Sequence, residues 1–440
     1  MSKLRKQHMS IDWDNLIDVK SSETAKNAPL RAKAALVGRI GLMMLSVGAG
    51  AYRVRAAMNK VSRAMGITCN ADIGLLSIEY TCLSGSETYT NAISINTTGV
   101  NTDKLHHLRA FADDFVRNAD RCSIKQSFEL LDEIDRSLNH YGAVKLAFAA
   151  ALACAAFTFL LGGGFVEMVC AFFGAGIGNF IRKKLLERHI TLFANVAVGV
   201  ASACFVYIGC IKAAEMLFNV SEAHQSGYIC SMLFVIPGFP LITGGIDLAK
   251  LDLRSGFERI LYALLIIFVA TITGWLCAFS LHFSPAEFVP QNHSEITMLL
   301  LRIVASFCAV FGFSLMFNST VPMAATAGII GTISNVIRLE LLDFTGIPVY
   351  IAAFIAAFTS GILATSIKKP TGFPRLTLTV PSIVIMVPGM FMYKGIYFFA
   401  LDDISTGGLW LAKAALVVCS LSLGLIFARI FTDKNFRTTS

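Results

Sequence analysis

Charge is scarce in this sequence. Asp, Glu, Lys and Arg make up 15% of its 440 residues, against 55% apolar residues and a mean hydropathy of +0.65. A soluble protein of this length has no core large enough for that much apolar sequence, whereas charge-poor runs of about 20 residues are what membrane-spanning helices need. The scarcity is uneven. Charges recur every few residues from Met1 to His140, then retreat into short clusters from Gly142 to Ile430. Other absences exclude chemistry. There is no CxxC, and the eleven cysteines stand singly, several inside apolar segments (Cys154, Cys170, Cys204, Cys308). They read as small buried hydrophobes rather than disulfides or metal ligands. No GxxxxGK[ST], HExxH or nucleophile elbow occurs, so no ATP machinery, cofactor, metal or catalytic residue is expected. Met1–Lys20 has no apolar core, so no secretory signal peptide is expected. The net charge of +8 is explained by loop bias in a membrane protein, without a nucleic-acid partner.

The polar part divides into a disordered tail over 1–28 and a cytoplasmic α+β domain over 29–141. Leu36, Ile40, Met43, Val47, Ala51, Val54, Met58, Val61 and Met65 step by three or four, predicting one long helix that Gly66 ends. Leu76, Ile78, Tyr80 and Cys82 alternate with polar residues as a half-buried strand does. After the Ser84-Gly85-Ser86 turn a second strand is expected over Tyr89–Ile95. Amphipathic helices follow near Asp103–Asn118 and Ser123–Leu138, the latter with a capping box from Ser123 and Gln126. His106-His107 and Asp113-Asp114 are close enough in sequence for a metal or acid/base role; a solvated helix face explains them more simply.

Ten apolar segments follow, near 143–161, 164–181, 190–211, 226–246, 259–281, 296–317, 320–337, 346–367, 376–400 and 408–430. Basic clusters fall after the second (Arg182, Lys183, Lys184, Arg188), fourth (Lys250, Arg254, Arg259), eighth (Lys368, Lys369, Arg375) and tenth (Arg429, Lys434, Arg437). The positive-inside rule then places both termini in the cytoplasm of a plasma-membrane protein, as an even span count requires. Arg338 is the exception.

The two halves match each other. At an offset of 151, Ser231, Pro237, Gly238, Gly244, Asp252 and Gly256 meet Ser382, Pro388, Gly389, Gly395, Asp403 and Gly407. At an offset of 156, Asn179, Ile181, Arg182, Leu185 and Leu186 meet Asn335, Ile337, Arg338, Leu341 and Leu342. Five spans per copy is an odd number, so the second copy must insert upside down, which also accounts for Arg338. The expected fold is a polytopic α-helical membrane protein of about ten transmembrane helices in two inverted five-helix repeats, 142–283 and 284–432. The small cytoplasmic α+β domain precedes them, and a cytoplasmic tail, 433–440, follows.

Pro237-Gly238 and Pro388-Gly389 fall mid-span. Proline removes a backbone donor and glycine permits a bend, so each pair breaks its helix, and the freed groups need protein, water or a ligand. Two such breaks in matching halves point to a midplane substrate site; packing kinks are the alternative. Lys394 lies six residues past Pro388 and is the counterpart of Thr243, with Asp247 one turn further on. Lys394 is placed to bind a substrate carboxylate and Asp247 an ammonium or a proton, unless both snorkel to opposite interfaces. Glu167 and Arg302 are weaker candidates. Asn179, Asn195, Asn318 and Asn335 either line a polar path or bind helices together.

Several stretches resemble the threonine/serine exporter (ThrE) family in its fused, full-length form. They are Gly48-Ala49-Gly50-Ala51-Tyr52-Arg53-Val54, Gly99–Leu105, Pro237–Leu241 with Gly244 and Asp247-Leu248, and Val387-Pro388-Gly389 with Tyr393-Lys394-Gly395. The likeness covers roughly 30–430. Arg55 departs from it, since many members carry an acidic residue there. The resemblance implies a cytoplasmic N-terminal domain, ten spans and proton-driven export of small hydroxy amino acids; split relatives are linked to dicarboxylate export. The expected partners are a small amino acid or dicarboxylate, protons, the bilayer and a second copy in a homo-oligomer. Competing classes are a membrane-anchored enzyme or regulatory scaffold acting through the N-terminal domain, and a passive channel.

Overall fold

A computed structural model describes residues 11–13, 23–137, 139–218, 227–281, 288, 291 and 293–437. They form two compact units. One holds the described residues before 138 together with Ile246–Arg259; the other holds 139–245 and the described residues from Ile260 onward.

In the first unit the single helix expected over 36–65 is two: α1 (Leu30–Ser46) and α2 (Ala51–Ala64). The apolar stripe is real in both, burying Leu36 and Ile40, then Val54, Met58 and Val61. What the stripe could not reveal is the break between them. Gly48 has φ of 90°, a conformation that disfavours side chains. The carbonyls freed there are taken by Gly99 N–H on Ser46 and Asn101 N–H on Val47. An antiparallel sheet follows, in the order β1 (Thr68–Ile73), β2 (Ser77–Ser84), β3 (Glu87–Ser94). The last two strands were expected. β1 was not, because only Ala71 and Ile73 of TCNADI are buried, too short a run to reveal period two. Helices α3 (Thr102–Asn118) and α4 (Ile124–Arg136) complete the domain, α4 with the expected Ser123–Gln126 capping box. α1 lies on the sheet, and Gly38 leaves room for the buried Tyr80 ring.

The disordered tail expected over 1–28 does not extend through 23–28. Thr24 bridges Ser123, and Ala25 is fully buried with its N–H on the Cys122 carbonyl. The rest of that stretch, apart from 11–13, lies outside the described residues, as does 438–440 of the expected C-terminal tail. Asp113 pairs with Lys60 and Arg109, Asp114 with Arg117, and His107 with Asp103, as on an ordinary helix surface.

The second unit begins with α5 (Ala143–Leu160), α6 (Phe165–Glu187) and α7 (Leu192–Phe218). A short α8 (Tyr228–Ser231) and a 3-10 turn (Leu233–Val235) then lead to α9 (Gly238–Ala249) and α10 (Leu253–Ser280). The same succession recurs as α11 (Glu295–Met316), α12 (Val321–Thr345), α13 (Val349–Thr371), α14 (Arg375–Val384), α15 (Gly389–Ala400) and α16 (Ile404–Thr432); Lys434–Arg437 adds a last helical turn, α17. Among the described residues, eight helices are long and apolar enough to cross a membrane. Two bent pairs raise the number to ten if each pair is one span: α8 with α9, bent by 56°, and α14 with α15, bent by 50°. The last turn of α9 and the first two turns of α10 belong to the first unit.

The recurrence extends to single hydrogen bonds. α5 ends with Leu161 N–H on Phe157, Gly162 on Phe159 and Gly163 on Thr158; α11 ends with Phe317 on Phe313, Asn318 on Leu315 and Ser319 on Ser314. Every pair differs by 156. Gly162 and Asn318 both have positive φ, as do Leu251 and Asp402, which are 151 apart. Asp252 N–H bonds the Asp247 carbonyl at 3.0 Å, and Asp403 N–H bonds Phe398 at 3.0 Å. α5 packs on α11 through small residues: a Cβ at Gly312 would lie 2.6 Å from the Ala149 carbonyl oxygen, so glycine sets the approach.

Candidate functional site

Both helix breaks form the same way. Gly238 N–H bonds the Ile236 carbonyl at 2.9 Å, and Gly389 N–H bonds Val387 at 2.8 Å. These are three-residue turns centred on Pro237 and Pro388, and Pro388, at φ −81° and ψ 54°, has inverse γ-turn geometry. Each proline carbonyl then opens a new helix, accepting from Leu241 and Met392.

The breaks meet. A Cβ at Gly238 would sit 2.7 Å from Val384 and 3.1 Å from Val387; one at Gly389 would sit 3.2 Å from both Ile236 and Leu233. Ile236 is the counterpart of Val387, and Gly238 of Gly389, so the contact is reciprocal. Nearby, the buried hydroxyls of Tyr228 (α8) and Tyr393 (α15) share a 2.7 Å hydrogen bond. Sequence reading missed this pair. The available signal was position: one tyrosine precedes its break and the other follows its own, so crossing breaks bring them together.

The remaining candidates separate. Thr243 is buried and turned back on its own helix, donating to the Phe239 carbonyl at 2.9 Å. The Lys394 ammonium lies 4.8 Å over the Trp410 ring, which Lys413 approaches at 5.0 Å. The four asparagines bind segments together. Asn179 donates to the Leu146 carbonyl and Asn195 to Arg182; Asn335 donates to Ser306 and accepts from Arg338. Asn318 accepts the His140 N–H. Arg302 holds Glu340 at 2.8 Å and Asp343 at 2.6 Å, tying α11 to α12. Glu167 is fully buried and accepts the Gly164 N–H at 3.0 Å.

Asp247 lies in the first unit. Its carboxylate Oδ2 accepts from the Ala51 N–H at 3.0 Å and the Ser255 hydroxyl at 3.0 Å, and lies 3.3 Å from Arg259 Nε. Arg259 also donates to the Ala49 carbonyl at 2.6 Å. Asp247 thus caps α2, whose own N-cap, Gly50, offers no side chain; a Cβ there would sit 2.7 Å from the carboxylate. Asp247, expected to bind an ammonium or a proton, here pairs with Arg259. Arg259, counted by sequence as a loop cation, is 2% exposed. Hydropathy could not distinguish the two, because only a partner 12 residues away makes burial of that charge tolerable. Around this pair Arg55 holds Asp252 at 2.6 Å, Arg254 holds Asp72 and Glu79, and Glu258 accepts the Leu75 N–H.

Two family models match the chain: "Putative threonine/serine exporter" over residues 35–282, more than half of it, and "Threonine/Serine exporter, ThrE" over 302–431. The chain belongs to the threonine/serine exporter family. It is a multi-pass membrane protein. A "Probable threonine/serine exporter" of Mycobacterium tuberculosis is 24% identical over 90% of this chain and 75% of its own length. A "Threonine/serine exporter" of Corynebacterium glutamicum is 23% identical over 89% and 80%. A "Probable succinate transporter subunit YjjP" of Escherichia coli is 25% identical over 57% of this chain and 95% of that subunit. No solved structure matches the chain.

Proposed function

We propose that this chain is a secondary exporter of small hydroxy amino acids, threonine or serine, driven by the proton gradient across the plasma membrane. The observation that carries the reading is the reciprocal contact of the two broken helices. Contact of residue i with j and of j's counterpart with i's is what a two-fold relation produces. With five elements in each half, it supports two copies of opposite orientation, which rock about a shared site. The basic clusters following the second, fourth, eighth and tenth spans support cytoplasmic termini. Pro237, Gly238, Pro388 and Gly389 shape the site, and Thr243 lies one helical turn from the crossing. Lys394, on the half-helix that Gly389 opens, is the carboxylate anchor, leaving Trp410 when substrate arrives.

The match to a succinate transporter subunit over 57% of the chain favours a second reading, export of a C4 dicarboxylate by the same route. Counterflow decides between them. Proteoliposomes holding the full chain are loaded with threonine, serine or succinate, and uptake of labelled substrate is followed. Saturable exchange of one of them identifies the substrate, and Lys394→Ala is expected to abolish it. If none of the three exchanges, the exporter reading fails. If Lys394→Ala exchanges like the wild type, the carrier stands and the anchor is elsewhere.

A further inference from the structure

α6 crosses α7 through one face, on which Gly174, Gly178 and Arg182 stack at a spacing of four. A Cβ at Gly174 would lie 2.8 Å from the Ala203 carbonyl oxygen and 2.9 Å from Ser231 of α8. One at Gly178 would lie 3.1 Å from Phe234, in the 3-10 turn before the Pro237 break. The same face thus packs on α7 and on the first broken helix, and Arg182 extends it by one turn. Arg182 runs along Gly199 of α7, where a Cβ would meet the arginine Cβ at 3.2 Å and its Cδ at 3.7 Å.

Two polar atoms at this crossing are buried without a hydrogen bond, Arg182 Nε and Asn195 Oδ1. Asn195 is fully buried, stands one turn before Gly199, and donates its Nδ2 to the Arg182 carbonyl at 3.1 Å. Among the described residues no acid faces Arg182; the titratable group beside it is Tyr262 of α10. Elsewhere in this unit Arg302 and Arg429 hold acids, and Arg375 donates to Thr432. An unpaired guanidinium N–H and an unpaired amide oxygen are each costly inside a membrane protein.

The other half shows that the fold does not require this. Arg338, the counterpart of Arg182 at offset 156, donates its Nε to Asn335 at 3.1 Å, whereas Asn179, which matches Asn335, is turned to the Leu146 carbonyl. Asn195 and Gly199 are matched by Ile351 and Ile355. The second half therefore closes its arginine with a neighbouring amide and places no acceptor opposite it. The first half keeps a cationic donor and a neutral acceptor open together. That combination is complementary to a carboxylate with a donor on the adjacent carbon, which is the head of an α-amino acid.

We propose that Arg182 and Asn195 form an entry site for the exported amino acid near the cytoplasmic end of α6. Arg182 takes the carboxylate and Asn195 Oδ1 accepts from the ammonium, before the molecule reaches Lys394. This rests on the exporter reading above and on its cytoplasmic termini.

The test uses the full chain in membrane vesicles of both orientations, everted ones presenting the cytoplasmic face. Counterflow of labelled substrate is inhibited with threonine, with threoninamide, which lacks the carboxylate, and with 3-hydroxybutyrate, which lacks the ammonium. In everted vesicles Arg182→Gln should raise the half-saturating threonine concentration roughly tenfold or more and lose the preference for threonine over threoninamide. Arg182→Lys keeps the charge without the planar fork and should fall between; it carries the test if Arg182→Gln does not elute as the folded wild type in size exclusion. Asn195→Ile, with the side chain the other half has there, should lose the preference for threonine over 3-hydroxybutyrate. Right-side-out vesicles should show wild-type affinities throughout. Folded variants with wild-type affinity in everted vesicles overturn the proposal, as does a change equal in both orientations. A lower maximal rate at unchanged half-saturation also overturns it, and assigns Arg182 to packing or to a lipid headgroup. A wild type that exchanges succinate but neither threonine nor serine overturns the amino-acid site while the exporter reading stands. A wild type without any exchange removes that reading and this site with it.

Discussion

The two matching halves of the membrane-spanning region solve the same turn in opposite ways. Leu251 and Asp402 adopt the same left-handed conformation, φ 61°, and the hydrogen bonds around them match. Yet the first half places Asp247, Ser255 and Arg259 there, and the second places Phe398, Thr406 and Trp410. One set is a buried ion pair with a shared hydroxyl. In the other, Trp410 packs on Phe391 and is flanked by two lysines. The backbone therefore does not demand charge. The charge is there because the first turn has a second client, the start of α2, whereas the second turn has none among the described residues: Asp247 and Arg259 satisfy an N–H and a carbonyl of the 49–51 segment.

The largest expected effect comes from removing one partner of that pair. Arg259→Leu leaves a buried carboxylate uncompensated, which typically costs about 3–5 kcal/mol. Thermal unfolding of the detergent-purified protein should show a large loss, mostly recovered in Asp247→Leu/Arg259→Leu. Trp410→Leu should cost much less, and equal costs would break the comparison. Next come the crossing glycines. Gly238→Ala drives a Cβ to 2.7 Å from Val384, while Gly389→Ala comes no closer than 3.2 Å to any neighbour. The first should lower stability by about 1–3 kcal/mol and the second by less, measured on the same instrument. Reversed or equal losses would mean the two breaks are not packed as described. Smaller still, Tyr228→Phe or Tyr393→Phe removes one hydrogen bond worth about 1 kcal/mol. The double variant should cost little more than either single one, since both delete the same bond. The smallest effect is Lys394→Met, about 0.5–1 kcal/mol from the lost contact with Trp410; a larger stability loss would make it a structural residue rather than an anchor.

Much of this fold was legible because hydropathy and length are local properties. The ten apolar segments, the two Pro-Gly breaks and the 151 and 156 offsets need no knowledge of contacts. The capping box at Ser123 and the β2–β3 hairpin were legible for the same reason. What sequence reading missed depends on partners far away in the chain. The α1–α2 break at Gly48 interrupts an unbroken apolar stripe, and its carbonyls are taken by residues past 98. Nothing nearby in sequence identifies Ala51 as a partner of Asp247. The asparagines at 179, 195, 318 and 335 had two readings, and sequence could not name their hydrogen-bond partners. Tyr228 and Tyr393 are 165 residues apart, and no periodicity links them.

The Ala51–Asp247 hydrogen bond spans 196 residues, and that separation sets an order of assembly. A ribosome adding about 5–20 residues per second takes roughly 10–40 s to cover it. Until then the first turn of α2 has no cap from this carboxylate, Asp72 and Glu79 have no Arg254, and Leu75 has no acceptor in Glu258. The N-terminal domain emerges before the spans but is completed only after the four apolar segments that follow it have been synthesised. Its completion therefore reports that the first half of the chain has been made.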